Sequence, residues 1–324
     1  MKRFARTASP LLGCFLLACD GSAKPPTVHS GMAGASAAVD LGEDRFAVAN
    51  DEDNRIRIYR TDSAGAPEAE TDFSRFLQVQ GRNTEADIEG AARIGNRIYW
   101  IGSHGLSKDG KARPNRHRFF ATDIIPAPGG PPTLVPVGRP CMDLLTQYAS
   151  SSGLPGSDLS RAMSIPPNEP GGLNIEALAA GPDGALYIGF RSPIPTRLAL
   201  IVPLLNPAEV VEGRPARFGE ALRLDLDGRG IRDFAWDGHQ WYLLGGGGGG
   251  EDRKTRLYRW EGPGKAAIPL AAKGLKDLNP EAVTLLGSGA GTTLLICSDD
   301  ASGSGGGSGS RNFRSLNLPV GNLR

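Results

Sequence analysis

The residues of this chain that could do chemistry recur at one place in a repeated phrase. In DIEGAARIGNRIYWIGSH, Asp87 to His104, an acidic opening leads into a short apolar strand, Gly95-Asn96 turns the chain, and Ile98 to Ile101 returns it to Ser103 and His104. The same grammar appears in NIEALAAGPDGALYIGFRS from Asn174, IRDFAWDGHQWYLLGG from Ile231 and NPEAVTLLGSGAGTTLLICSDD from Asn279, with a degenerate first copy, SAAVDLGEDRFAVANDED, from Ser36. The place of Glu89 is then held by Ser36, Glu176, Asp233 and Glu281. Carboxylates at Glu89, Glu176 and Glu281 ringing one opening would suit a hard cation such as calcium, which takes several oxygen ligands. The plainer use of the same groups is ion pairing, because a buried carboxylate is costly unless paired and hydrogen-bonded. Asp51 to Asp53 and Asp299-Asp300 add oxygens nearby or are solvated loop residues.

An arginine series runs alongside. Arg57, Arg118, Arg197, Arg256 and Arg311 each stand at or near the start of a third strand, as partners for the carboxylates or as contacts for a ligand, together with Arg191 and Ser192. Nucleophilic catalysis needs a serine or cysteine within reach of a base. Ser103 and His104 are adjacent, and neighbours on a strand point to opposite sides, so they are not a direct pair. His29 falls near the N-terminal tether, His117 enters a third strand and His239 lies at a turn, which leaves His104 as the histidine placed for acid or base work or for a structural or ligand contact. Gly245 to Gly250 lacks the Lys-Ser or Lys-Thr ending of a phosphate loop and reads as a flexible connection.

These residues need elements to position them. Two apolar runs joined by a Gly-Asn or Asp-Gly turn are a hairpin signal. The marked positions are spaced by 53, 87, 57 and 48 residues, and propeller blades of four strands occupy about 40 to 50 residues each. The expectation is an all-β, five-bladed propeller with an insertion in the second interval. Fourth strands are placed at Phe76 to Gln80, Thr133 to Val137, Ala221 to Leu226 and Ala267 to Leu270. The last copy has no room for one, so residues near Thr27 to Met32 should supply it and close the ring without a long exposed edge. The insertion, about residues 138–172, reads as two short helices, one with Pro140 in its first turn and one capped by Ser157 or Asp158. In an up-and-down blade the marked carboxylates, the arginine series, Ser103, His104 and the glycine runs all fall at one end. Long insertions in compact domains often serve as lids, so Pro140 to Pro170 should cover that end. Ser302 to Ser310 reads as a flexible loop.

Composition agrees. The 324 residues are 40% hydrophobic with 45 Gly and 25 Pro, suited to many short strands and turns in one domain. Lys2, Arg3 and Arg6, the apolar Leu11 to Leu17, and Leu16-Leu17-Ala18-Cys19 form a leader that resembles a bacterial lipobox. The resemblance implies cleavage after residue 18, a diacylglycerol on Cys19 and a tether over residues 19–30, with residues 31–324 as the propeller. An ordinary cleaved signal is the alternative, and Asp20 resembles an inner-membrane retention signal. Removing the leader takes the formal charge from +1 to −2, which gives no attraction to nucleic acid. Cys141 and Cys297 read as two separate buried thiols rather than a disulfide.

The phrases DIEGAA, NIEALA, GIRDFAWDG and NPEAV, with IYWIGSHG and LYIGFRS, resemble the bacterial family known as domain of unknown function 3616, over roughly Ser36 to Leu318, and more remotely phytase-type propellers called esterase-like. The first family has no assigned activity. The phytase likeness would imply calcium-assisted phosphate chemistry, but no run of clustered aspartate ligands stands at matching positions. The sequence thus points to a periplasmic, lipid-anchored monomer that binds a small ligand or an envelope protein through Glu89, Ser103, His104, Glu176, Arg191, Asp233, Glu281, Arg118, Arg197 and Arg256. The competing readings are a calcium-assisted phosphoester or ester hydrolase on the same face and a purely structural scaffold.

Overall fold

The computed structural model describes residues 25–151, 156–250, 254–300 and 311–323. The repeated hairpins build five four-stranded antiparallel sheets, the blades of a propeller. Blade 1 comprises Ala37–Gly42, Arg45–Ala49, Arg55–Arg60 and Ala69–Asp72, and blade 2 Ile88–Ile94, Arg97–Gly102, Phe119–Ile125 and Thr133–Cys141. Blade 3 comprises Asn174–Ala180, Leu186–Ser192, Ala199–Leu204 and Leu222–Leu224, and blade 4 Gly230–Trp236, Trp241–Gly246, Arg256–Trp260 and Ile268–Leu270. Blade 5 takes Pro280–Leu286, Thr293–Ser298 and Asn312–Pro319 from the C-terminal part of the chain, and its outermost strand, Thr27–Ser30, from the N-terminal part.

Alternation explains the packing. In the second strand of blade 2, Ile98 and Trp100 pack toward blade 1 with Ile56, Phe73 and Phe120. Tyr99 and Ile101 point the other way, toward Ile188, Phe190 and Leu200 of blade 3. A strand buried on both faces therefore reads as continuously apolar rather than alternating, and each such large side chain contributes about 1.5 to 3 kcal/mol by leaving water. The first strands of all five blades converge on the axis, where a cavity of about 150 Å3 is lined by Ala38, Ala92, Leu178, Ala235 and Val283, one from each blade. Crowding there requires small residues: a Cβ on Gly90 would lie 2.7 Å from the Leu178 nitrogen.

Ring closure rests on His29. It is buried, its Nε2 stands 2.8 Å from the Ser315 Oγ, and its ring stacks on Phe313 at 4.8 Å. The same ring meets Phe46 and Tyr59 of blade 1 edge-on at 5.4 and 5.3 Å, so the N-terminal strand also joins the last blade to the first. Burial pushes its pKa down to about 4, and the ring is neutral at pH 7. It is a core residue, not part of a tether.

Several expected elements move. The outer strand of blade 1 is Ala69–Asp72, and Phe73 to Leu77 instead form a turn that packs Phe73 and Leu77 into the core. AETD alternates half-buried and exposed residues because an outermost strand is half solvated. Pro140 is not in a helix: the strand continues to Cys141, and helix α1, Leu144–Ser150, has Asp143 at its N-cap. Helix α2, Gly156–Ala162, already contains positions 157 and 158 in its first turn. A third helix, α3, Pro207–Val211, lies between the outer two strands of blade 3 in sequence. Cys141 and Cys297 are free and buried. The leader with Lys2, Arg3, Arg6 and Cys19, and the Ser302 to Ser310 tract, lie outside the described residues. Among the described residues no helix is long and apolar enough to cross a membrane.

Replacing His29 by alanine should lower stability by about 3 kcal/mol, the scale of losing a large buried ring, read as the denaturant midpoint. An unchanged midpoint would mean that closing the last blade does not depend on this residue.

Candidate functional site

The first strand of each of blades 2 to 5 carries a bulge near its start, where one residue has no partner on the neighbouring strand. The bulged residues are Glu89, Glu176, Arg232 and Glu281. Bulges re-aim a side chain. Ser36 matches them in blade 1, its N–H donating to the Ala49 carbonyl, which Ala37 also faces. The ring therefore differs from the sequence expectation at one position. Asp233 pairs with Leu244 one step further along, is fully buried, and accepts from the backbone N–H groups of Phe234 and Val283 at 2.9 and 2.7 Å. It ties blade 4 to blade 5 and has no place in the ring. Aligning the copies on the residue before the bulge (Ile88, Ile175, Ile231 and Pro280) would have identified Arg232.

Arg232 sets the electrostatics. Its Nη1 donates to Glu281 Oε1 at 2.7 Å and lies 4.0 Å from Glu176 Oε2, while Arg191 Nη1 donates to Glu176 Oε1 at 2.5 Å and Arg191 Nε to the Gly247 carbonyl. Burial pushes the Glu281 carboxyl up against the downward pull of Arg232. No hydrogen bond or ion pair reaches the Glu89 carboxyl among the described residues. Burial, then the negative charges of Asp87, Glu176, Asp51 and Glu281, hold its pKa well above the usual carboxylate range. The three glutamates face a guanidinium, and among the described residues no three Asp, Glu, His or Cys side chains converge as a metal site.

Ser103 and His104 follow the end of the second strand of blade 2. The Ser103 Oγ accepts from the Gly105 N–H and bonds to Asp87, whose carboxylate also pairs with Arg116 at 3.1 Å. His104 turns Nδ1 back to the Gly102 carbonyl at 2.9 Å, and its Nε2 is buried without a partner. The ring stacks on His117 at 5.4 Å, and burial followed by His117 pushes its pKa down to about 3. It is neutral at pH 7 and bonded to neither Ser103 nor a carboxylate, so the arrangement lacks a nucleophile, base and orienting acid in line.

The third-strand arginines are not the partners of these glutamates. Arg118 is buried among carbonyls, donating to Leu77, Pro114 and His117. Arg256 pairs with Asp227 at 3.0 Å, and Arg57 with Asp53 and Glu70. Arg197 is exposed, rests over Gly228 and lines a cavity of about 400 Å3 with Arg161, Ile165 and Ile194. Asp300 is taken by Arg314, at 2.7 Å.

The insertion divides in two. Helix α1 packs on the side wall between blades 2 and 3, with Leu144, Leu145 and Tyr148 in the core, Tyr148 edge-on to Phe218 and the Gln147 Oε1 accepting from the Ala216 N–H. Residues 165–171 reach the expected end, where a Cβ on Gly250 would lie 2.5 Å from the Asn168 carbonyl oxygen and one on Gly249 3.0 Å from that of Glu169. The lid is this short strap, and the helix beside it is wall. The glycine run it covers is not a loose connection: Gly245 and Gly246 belong to a strand, and a Cβ on Gly248 would lie 2.3 Å from the Arg191 carbonyl oxygen.

Beside the axis at this end, the charges gather in a way the sequence did not predict. A cavity of about 740 Å3 is walled by Arg191, Arg229, Arg232, Lys254, Arg256 and Lys276, with Leu257, Leu270, Leu275 and Leu278 as its apolar side.

The chain belongs to the family described as protein of unknown function (DUF3616), whose model matches residues 35–121 and 156–292, well over half of the sequence. The unmatched interval holds most of blade 2's two outer strands and α1. No curated protein matches the chain. Among solved structures it is similar to the Malassezia sympodialis allergen Mala s 1, at 11% identity over 88% of this chain and 92% of that one, TM-score 0.49. It is also similar to the Myxococcus xanthus glutaminyl cyclase, at 11% identity over 92% and 97%, TM-score 0.46. The PQQ-bound aldose sugar dehydrogenase of Streptomyces coelicolor is similar at 13% identity over 91% and 99%, TM-score 0.45. Likenesses this distant carry no argument about activity.

A test of the ring follows from Glu89. Its folded pKa is raised, so the stability linked to its neutral form is complete below the unfolded value near 4.3 and is lost as pH rises toward the folded value. Glu89→Gln should match the wild type in stability at pH 4 and exceed it at pH 8. Equal pH profiles by chemical denaturation would place a counter-charge at Glu89.

Proposed function

We propose that this member of the DUF3616 family is a ligand-binding module of the bacterial cell envelope that works through the channel end of its propeller. The observation that carries the reading is the cavity of about 740 Å3 at that end, with six cationic side chains on its wall. Sites for small ligands are concave, mostly apolar and furnished with a few convergent polar groups, and this one has both kinds of wall. Glu89, Glu176, Glu281, Arg191, Arg232 and Arg256 are the ring and wall residues of that reading. Ser103 and His104 support the ring's geometry, Arg118 the loop beneath it, and Arg197 the neighbouring smaller cavity. Asp233 is left out, as an inter-blade tie.

Hydrolysis on the same face is the competing function. A metal-assisted hydrolase would use Glu89 with Glu176 and Glu281 around calcium, and Glu89 favours it in one respect: a buried carboxyl among like charges gains from a cation. Against it stand Arg232, which already answers two of the three carboxylates, and His104, which is buried and neutral and cannot take up a proton near pH 7.

The envelope location is part of the proposal. Cys19 would carry the lipid, Asp20 favours the inner membrane, and the propeller would stand on the periplasmic side as a monomer. Cys19→Ala should move the protein from the membrane to the soluble fraction and abolish labelling by a clickable fatty acid; labelling that persists would shift the anchor to Cys14, which closes a second, weaker lipobox match, Leu11-Leu12-Gly13-Cys14. For the function, the purified protein with calcium added should turn over neither p-nitrophenyl phosphate nor p-nitrophenyl acetate above background. Turnover that disappears with a chelator and in Glu89→Gln would replace the binding module with the hydrolase.

A further inference from the structure

The cavity beside the ring has more positive charge than its acids answer. Among the described residues, three carboxylates pair with the cations of its wall: Asp227, with Arg256 at 3.0 Å and Arg229 at 3.5 Å, and Glu176 and Glu281, which engage Arg191 and Arg232. Among the described residues, the six cations of the wall thus have three carboxylates as ion-pair partners. The exposed ammonium groups of Lys254 and Lys276 form no ion pair among the described residues.

The arginines are held yet not used up. A guanidinium has five N–H donors in a fixed plane. Arg232 meets its glutamates through Nη1, and Arg191 donates from Nη1 to Glu176 and from Nε to the Gly247 carbonyl. The Arg232 side chain lies against Gly246 and the Arg191 backbone against Gly248, where an added Cβ would lie 2.8 Å from Arg232 Nε and 2.3 Å from the Arg191 carbonyl oxygen. Planar donors held in this way, with N–H groups to spare, recognise carboxylate and phosphate oxygens. The opposite wall is different: Leu257, Leu270, Leu275 and Leu278 belong to the core cluster between blades 4 and 5 and present its edge to the cavity.

Resting on the reading of the channel end as the working face, we propose that this cavity binds an oxyanion, phosphate or carboxylate, carried on an apolar body. The anionic head lies among Arg191, Arg232 and the two lysines, and the apolar body lies on the leucine wall. A bare inorganic anion gains only the first contact, and a neutral apolar molecule only the second.

Isothermal titration calorimetry at pH 7 on the soluble chain tests this with four probes: phenyl phosphate, phenylacetate, inorganic phosphate and benzyl alcohol. Saturable binding of phenyl phosphate or phenylacetate is expected, at least tenfold tighter than inorganic phosphate and weakening as salt is raised, with none for benzyl alcohol. The two organic anions separate phosphate from carboxylate recognition. Lys254→Glu/Lys276→Glu, at exposed positions and with an unchanged melting temperature, should weaken the binding at least tenfold. The site is overturned if neither organic anion binds saturably, if the double variant binds as the wild type does, or if inorganic phosphate binds as tightly as phenyl phosphate. Release of phenol from phenyl phosphate would instead overturn the non-catalytic reading while leaving the site in place.

Discussion

The guanidinium of Arg232 is the group on which the channel end depends. Five inner strands meet at one axis, and the bulge near the start of four of them turns a side chain into a buried space. Three of those side chains are glutamates. Removing a carboxylate from water costs several kcal/mol unless a partner replaces the lost hydration, and like charges close together add to that cost. Arg232 relieves two of the three by standing between Glu176 and Glu281, and Arg191 gives Glu176 a second partner. Glu89 has no ion pair among the described residues, and burial with its acidic neighbours holds its pKa well above the usual carboxylate range. The ring is thus asymmetric: ion-paired toward blades 3 to 5, and without such a partner among the described residues toward blade 2.

That asymmetry spreads outward. On the side of blades 1 and 2, acids and arginines are matched within their own loops, as in Asp53 with Arg57 and Asp87 with Arg116. On the side of blades 3 to 5 the ring's own cations face a cavity to which Lys254, Arg256 and Lys276 add more. The propeller allows this because each blade contributes its loops independently, so charge can accumulate at one sector without disturbing the packing of the others.

Architecture was legible because it rests on periodicity. Hairpin turns, the apolar strands and the missing fourth strand of the last copy all leave marks in the sequence, and the N-terminal strand is where the count of strands requires it. The site was legible only in part, for identifiable reasons. A bulge inserts one residue, so matching Asp233 to Glu89 by charge slips the register by one and hides the arginine that matters. The polar AETD resembles a loop because an outer strand is half in water. Lys254 and Lys276 lie on separate connections, and nothing in either local sequence says that they share a wall. His104 with His117, stacked and neutral, likewise come together only through the chain's path around Pro114 to Arg116.

The run Gly245 to Gly250 shows how the fold and the site constrain each other. Read as a string, six glycines mean flexibility. In the fold they form the end of a strand and a loop pressed between the end of the second strand of blade 3 at Arg191 and the strap at residues 168 and 169, with Arg232 lying over Gly246. Several of these places reject a Cβ because backbone, which cannot swing aside, already fills the space. The glycines let three segments approach closely enough for Arg191 and Arg232 to reach the same glutamate from opposite sides. Composition that looked like slack is what brings the two guanidinium groups together, and their convergence gives the adjoining cavity its cationic wall.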